Sequence, residues 1–245
     1  MLGLPGGVRA CLFDLDGVLT RTAKVHRAAW RETFDEFLRA RQGPGLAPFT
    51  DADYYEFVDG KPRRDGVRDF LASRGVHLPE GDPDDPPSAE TVAGVGNRKN
   101  ERLLRRLDID GVEAYEGSVR YVRAVRAAGL GTAVVTASAN GEAVVAAAGI
   151  ADLIEARIDG VVAGRDGLAG KPAPDTFLAG ARALGVEPAA AAVFEDALAG
   201  VAAGRAGSFG FVVGVDRVGE GQAEALRERG ADVVVADLAE LLESE

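Results

Sequence analysis

Residues 10–13, Ala-Cys-Leu-Phe, form an apolar run that stops at Asp14, Asp16 and Gly17. A run this short and this apolar predicts a buried strand, and the glycine permits a sharp exit from it. In an open α/β sheet, ligands sit outside the carboxyl ends of the strands. Two carboxylates at such an end make a hard-oxygen metal site, the usual equipment for phosphoryl transfer. Taken alone, the pair serves equally well as a solvated acidic turn, so the rest of the chain has to decide.

The next stretch has a different rhythm. Residues 22–41 place Val25, Ala29, Trp30, Thr33, Phe34 and Phe37 at helical spacing, with Thr22 as N-cap. A Gly/Pro loop over 43–50 follows, then short helices over 51–58 and 64–74. The polar, proline-rich segment 79–90 reads as an exposed loop, and 90–107 as a further helix. From Tyr115 strand and helix alternate: strands over 131–138, near 153–158, and over 190–196, 209–215 and 231–238, with helices between and a short final helix. Such alternation predicts an α/β fold, a Rossmann-like parallel sheet with helices on both faces. The first strand belongs to that sheet. The expected domains are therefore a discontinuous core, 1–20 joined to 105–245, and an inserted helical domain, 21–104.

Bulk properties exclude several classes. The 245 residues are 47% hydrophobic, enough to bury a core, and 28 basic against 39 acidic residues give a net charge of −11. Nucleic acid and anionic membranes are poor partners for such a chain. No apolar run approaches the ~18 residues of a membrane span. The opening MLGLPGGVRA lacks a signal peptide's charged start and apolar stretch. The single cysteine, Cys11, fits a reducing compartment and a core position within the first strand. A cytoplasmic protein is expected, and a monomer.

Three more segments carry chemistry. Thr136 ends an apolar strand and is followed by Ser138, Asn140 and Gly141. Hydroxyls and backbone N–H groups there can hold phosphate oxygens, although helix capping alone accounts for them. Lys171 precedes Pro172 and Pro174, which stiffen the segment before a helix. A lysine fixed in this way can neutralise charge at a nucleophile and its phosphoryl group. Glu195 and Asp196 end another buried strand, ahead of Gly200 and Gly204, and two adjacent acids there suit metal ligation.

Together FDLDGVLT, VVTASAN, GKPAPD and VFEDALAG resemble, in order, the four motifs of the haloacid dehalogenase superfamily of phosphotransferases. The resemblance implies that Asp14 is the nucleophile and Asp16 the general acid/base. It also implies that Thr136 and Lys171 bind the transferring phosphoryl group, and that Asp14, Asp16, Glu195 and Asp196 hold Mg²⁺. The helical insert resembles the cap of the β-phosphoglucomutase-like subgroup through Thr22, His26, Trp30, Gly60, Arg63, Lys99 and Asn100. In that subgroup the matching histidine couples substrate binding to cap closure, and the arginine and lysine bind the phosphate that is not reacting. Trp30 would be part core and part sugar-site wall. Ser138 and Asn140 join His26, Trp30, Gly60, Arg63 and Lys99 as expected substrate contacts. Arg21, where the mutases usually carry an aspartate, and Gly66, where they carry a serine, are departures.

The implied activity interconverts β-D-glucose 1-phosphate and glucose 6-phosphate through an aspartyl phosphate and a 1,6-bisphosphate. The partner is thus a small phosphorylated sugar. A Mg²⁺-dependent sugar-phosphate phosphatase uses the same core residues and is the alternative; only His26, Arg63 and Lys99 favour the mutase. A non-catalytic binding protein with this fold would be expected to have lost part of the site, and every expected acid and the lysine is present.

Overall fold

A computed structural model describes residues 1–42, 47–219 and 221–242. The expected Gly/Pro loop at 43–50 therefore lies partly outside the described residues, as does position 220 of the helix expected to begin there. The chain divides into two compact units, Met1–Arg21 with Val112–Glu245, and Thr22–Gly111.

The larger unit is built on six parallel strands among the described residues. They are β1 (Ala10–Phe13), β2 (Gly131–Val135), β3 (Ala156–Ile158), β4 (Ala191–Glu195), β5 (Phe211–Val215) and β6 (Val233–Val235). Their order is β3-β2-β1-β4-β5-β6. All four residues of β1 are buried, as a central strand covered on both faces requires. The chain leaves β1 toward β2 on one side and returns to β4 on the other, so the direction of winding switches at β1, where ligand crevices form in such sheets. Register places the ends level. Phe13 pairs with Val134 of β2 and Phe194 of β4, and the Asp14 N–H donates to the Phe194 carbonyl at 2.9 Å. Asp14, Thr136 and the Glu195–Asp196 pair consequently emerge at one end of three neighbouring strands.

Strand β1 coincides with its apolar run, whereas β2, β4, β5 and β6 are shorter than the ranges expected for them. A short helix over Gly160–Asp166 lies where apolar periodicity predicts none. Its residues are half-buried or exposed, so its start rests on Asp159, whose Oδ1 accepts the N–H groups of Val161 and Val162 at 3.0 Å each.

The smaller unit consists of α1 (Ala23–Gln42), α2 (Asp51–Asp53), α3 (Arg63–Ser73) and α4 (Val92–Asp110). Trp30, Phe34, Phe49, Phe70 and Val95 belong to its own apolar core. The helix expected over 51–58 is α only through Asp53. Thr50 and Asp53 close a capping box. The turn then widens to π geometry over Tyr54–Val58, with Asp59 N–H reaching the Tyr54 carbonyl at 2.9 Å. Helix α4 runs past its expected end at 107. Leu107 still packs against Val25, Ala29 and Leu103, and no breaker arrives before Gly111, whose φ is 72°. That continuous helix moves the second boundary from 104 to 111. The Arg21 N–H bond to the Glu113 carbonyl, 2.9 Å, keeps Arg21 with the larger unit. No helix among the described residues is long and apolar enough to cross a membrane.

Candidate active site

Lys171 organises the larger unit's site. Its ammonium donates to Asp14 Oδ1 at 2.6 Å, to the Val135 carbonyl at 3.1 Å and to Glu195 Oε1. All three donors of the ammonium are thereby used. Lys171, Asp14, Glu195 and Asp196 are all buried, at 3%, 6%, 0% and 7% exposure. Burial works to lower the lysine's pKa, but the two carboxylates overcome it and hold the ammonium above its ordinary value. Burial also raises Asp14 well above the usual carboxylate range; Lys171 opposes this, while Glu195 and Asp16 add to it.

Oxygens of Asp14, Glu195 and Asp196 all lie within 4.8 Å of one another. Three buried carboxylates against one ammonium leave a formal excess of two negative charges, which a divalent cation would neutralise. The donors are all hard oxygens, so the residues fit such an ion. The Asp16 carboxylate is not in this group. It accepts a bond from the Thr136 hydroxyl at 3.2 Å, and Thr136 Oγ1 in turn accepts the Ser138 N–H at 3.1 Å. The Asn140 N–H turns back onto Ser138 Oγ at 3.2 Å. Thr136, Ser138 and Asn140 therefore form one hydrogen-bonded turn beyond β2, joined to Asp16.

Close packing fixes the acids. Gly17 has φ 98°, and a Cβ there would fall 1.8 Å from Asp196 Oδ2. At Gly200, on the helix Leu198–Ala206, a Cβ would fall 1.8 Å from Glu195 Oε1. The Ala197 N–H caps Glu195 Oε2 at 3.0 Å. Cys11 is fully buried in β1 and burial raises its thiol pKa, as befits a core residue.

In the smaller unit, Lys99 is buried and its ammonium lies 3.1 Å from His26 Nδ1 and 4.9 Å from the centre of the Trp30 ring. Trp30 is 4% exposed and stacks on Phe34 at 4.9 Å. Arg63 donates to Asn97 Oδ1 at 3.2 Å, and burial lowers its pKa. Gly60 follows the π turn with φ 71°. His26, Trp30 and Lys99 are thus brought together, while Arg63 is paired separately with Asn97. Gly66 is packed against Val58, whose Cγ1 lies 2.9 Å from where a Cβ would stand, so a serine there would require Val58 to move. Arg21 lies over the Tyr115 ring at 4.5 Å and beside Glu113 at 3.6 Å.

Two residues near the site gave no sequence signal. Gln222 Nε2 donates to the Asp196 carbonyl at 2.9 Å, and Arg217 Nε donates to the Gly17 carbonyl at 3.0 Å. Both lie beyond the last motif, and only the placement of β5 beside β4 brings them in.

Comparison with known proteins shows the family. The sequence profile of the haloacid dehalogenase-like hydrolases matches residues 8–207. The chain is 58% identical over 247 residues to a β-phosphoglucomutase of Mycobacterium bovis, covering 99% of this chain and 94% of that protein. The Mycobacterium tuberculosis β-phosphoglucomutase matches equally well. A crystal structure of β-phosphoglucomutase from Clostridium difficile has a TM-score of 0.74 at 26% identity, covering 96% of this chain and 93% of that one. The chain belongs to the haloacid dehalogenase-like hydrolase family, in its β-phosphoglucomutase-like subgroup.

Proposed function

We propose that the chain acts as a β-phosphoglucomutase, interconverting β-D-glucose 1-phosphate and glucose 6-phosphate through phospho-Asp14 and a 1,6-bisphosphate. The observation that carries this reading is the 58% identity to the M. bovis enzyme, which runs through both units instead of the motif-bearing core alone.

Two aspartates one residue apart have different surroundings, and that suits them to different roles. Asp14 is buried and held by Lys171, so one of its oxygens is oriented for in-line attack on phosphorus. As the Asp14–phosphorus bond forms, the bond from phosphorus to the sugar oxygen breaks. Asp16, bonded to a hydroxyl instead of an ammonium, gives its proton to that leaving oxygen. In the next step Asp16 takes the proton of the acceptor hydroxyl. Lys171 and the Thr136–Ser138 turn balance charge on the transferring oxygens. Magnesium, held by Asp14, the Asp16 backbone carbonyl, Glu195 and Asp196, would offset the two excess negative charges and lower the repulsion between Asp14 and an incoming phosphate.

In the helical unit His26, Trp30, Gly60, Arg63 and Lys99 are assigned to the sugar and its non-reacting phosphate, with Ser138 and Asn140 from the core. A phosphatase would share every core step and differ in admitting water to phospho-Asp14. The enzyme is assigned to the cytoplasm as a monomer.

The test is to supply purified protein with Mg²⁺, β-glucose 1-phosphate and a trace of glucose 1,6-bisphosphate, and to follow glucose 6-phosphate and free phosphate together. Glucose 6-phosphate in large excess over free phosphate supports the mutase. Free phosphate as the main product transfers the assignment to a phosphatase.

A further inference from the structure

Arg217, in the loop after β5, donates in three directions. Its Nε reaches the Gly17 carbonyl at 3.0 Å. Nη1 reaches the Ala236 carbonyl at 2.6 Å and Asp237 Oδ2 at 3.0 Å. Nη2 reaches Ser118 Oγ at 3.2 Å and, more loosely, the Val18 carbonyl at 3.4 Å. Each of the five N–H groups of the guanidinium thus meets an acceptor. The group also lies 3.7 Å from the centre of the Tyr115 ring. Its side chain is 14% exposed.

Two of those five acceptors are the carbonyls that directly follow Asp16. Gly17, with φ 98°, is the most deformable link of that loop. It is held on one side by contact with Asp196, where no Cβ could fit, and through its carbonyl by Arg217. The Val18 carbonyl is held a second time, by Ser118 Oγ at 2.7 Å. The loop is thereby tied to the ends of β5 and β6 and to the helix Glu116–Ala127, none of which carries a catalytic motif.

We infer that Arg217 is a positioning residue for the acid/base step: by fixing the Gly17 and Val18 carbonyls it holds the Asp16 carboxylate where the leaving oxygen receives its proton. The inference rests on the assignment of Asp16 as general acid/base made above. It requires the planar fork of an arginine, because one ammonium cannot span both loop carbonyls, Ala236 and Asp237.

Two phosphoryl donors separate this role from a general structural one. From a sugar phosphate the sugar leaves as an alkoxide unless its oxygen is protonated, so transfer of the phosphoryl group to Asp14 needs Asp16. p-Nitrophenyl phosphate releases a stable phenolate, so the first-turnover burst of p-nitrophenolate reports Asp14 attack without a general acid. In Arg217→Met we expect sugar-phosphate turnover to fall on the order of 10²-fold, the scale of a misplaced catalytic group, while the burst rate stays within a factor of a few. Arg217→Lys should behave like Arg217→Met, and it also serves if the methionine variant does not fold. In an Asp16→Asn background Arg217→Met should add little further loss. Equal loss with both donors, recovery in Arg217→Lys, or full additivity with Asp16→Asn would each overturn the inference. The contrast between donors can be read on any alkyl phosphate the enzyme turns over. A chain that releases free phosphate instead of glucose 6-phosphate would therefore fail the mutase reading and still test Arg217.

Discussion

One ammonium facing two buried carboxylates dominates the site at the scale of residues. Removing it in Lys171→Met leaves Asp14 and Glu195 both buried without their cation. Breaking a buried pair on one side costs about 3–5 kcal/mol, so the metal-free variant should melt well below the parent. Because a divalent ion can replace part of the missing charge, the deficit should shrink when Mg²⁺ is present. Thermal melts in chelator and in Mg²⁺ measure this directly, and an equal deficit in both would speak against a shared electrostatic site. Asp16→Asn keeps the size of the side chain and removes the proton donor. If Asp16 is the general acid, the change should lower sugar-phosphate turnover by about 10²–10⁴-fold, with the p-nitrophenolate burst retained. If the burst is lost to the same degree, Asp16 has a role in the attack itself.

Among the elements, the helix Leu198–Ala206 shows how backbone placement sets the acids. Gly200 is inside that helix, where alanine would ordinarily be favoured by about 1 kcal/mol. The Cβ of an alanine would nevertheless collide with the Glu195 carboxylate. Gly200→Ala should therefore lower the melting temperature and weaken Mg²⁺ binding, against its helix propensity; a rise in both would show that the close approach is inconsequential. The same elements show what the sequence could reveal. Strand β1, the helix Ala23–Gln42 and the acid-tipped strand β4 were legible because each has an unbroken apolar pattern and a chemical stop. The helix Gly160–Asp166 was not, because it has no buried stripe and depends on the Asp159 cap. The π turn at Tyr54–Val58 was not, since one extra residue per turn leaves a short apolar pattern unchanged. Gln222 and Arg217 escaped because their significance comes from strand order, which no local pattern encodes.

Over the whole molecule, a metal held by the buried carboxylates would compete with protons for them. Burial raises Asp14 in the metal-free protein, so the folded state holds its proton more tightly than the unfolded chain. This contribution to stability is present at low pH and is lost as pH rises through the folded value. A cation that takes the place of the proton restores stability on the alkaline side. The increase in melting temperature on adding Mg²⁺ should thus be larger near pH 8 than near pH 5. An increment that is flat, or larger in acid, would contradict a metal site that includes Asp14.

If Asp14 carries the phosphoryl group, the covalent intermediate can be trapped on it. The protein would be mixed with Mg²⁺ and glucose 1,6-bisphosphate, quenched in acid, digested, and its peptides weighed. One added phosphoryl group is expected on the peptide containing Asp14, absent from Asp14→Asn and released at alkaline pH as an acyl phosphate should be. A phosphoryl group on another residue, or steady turnover in Asp14→Asn, would contradict it.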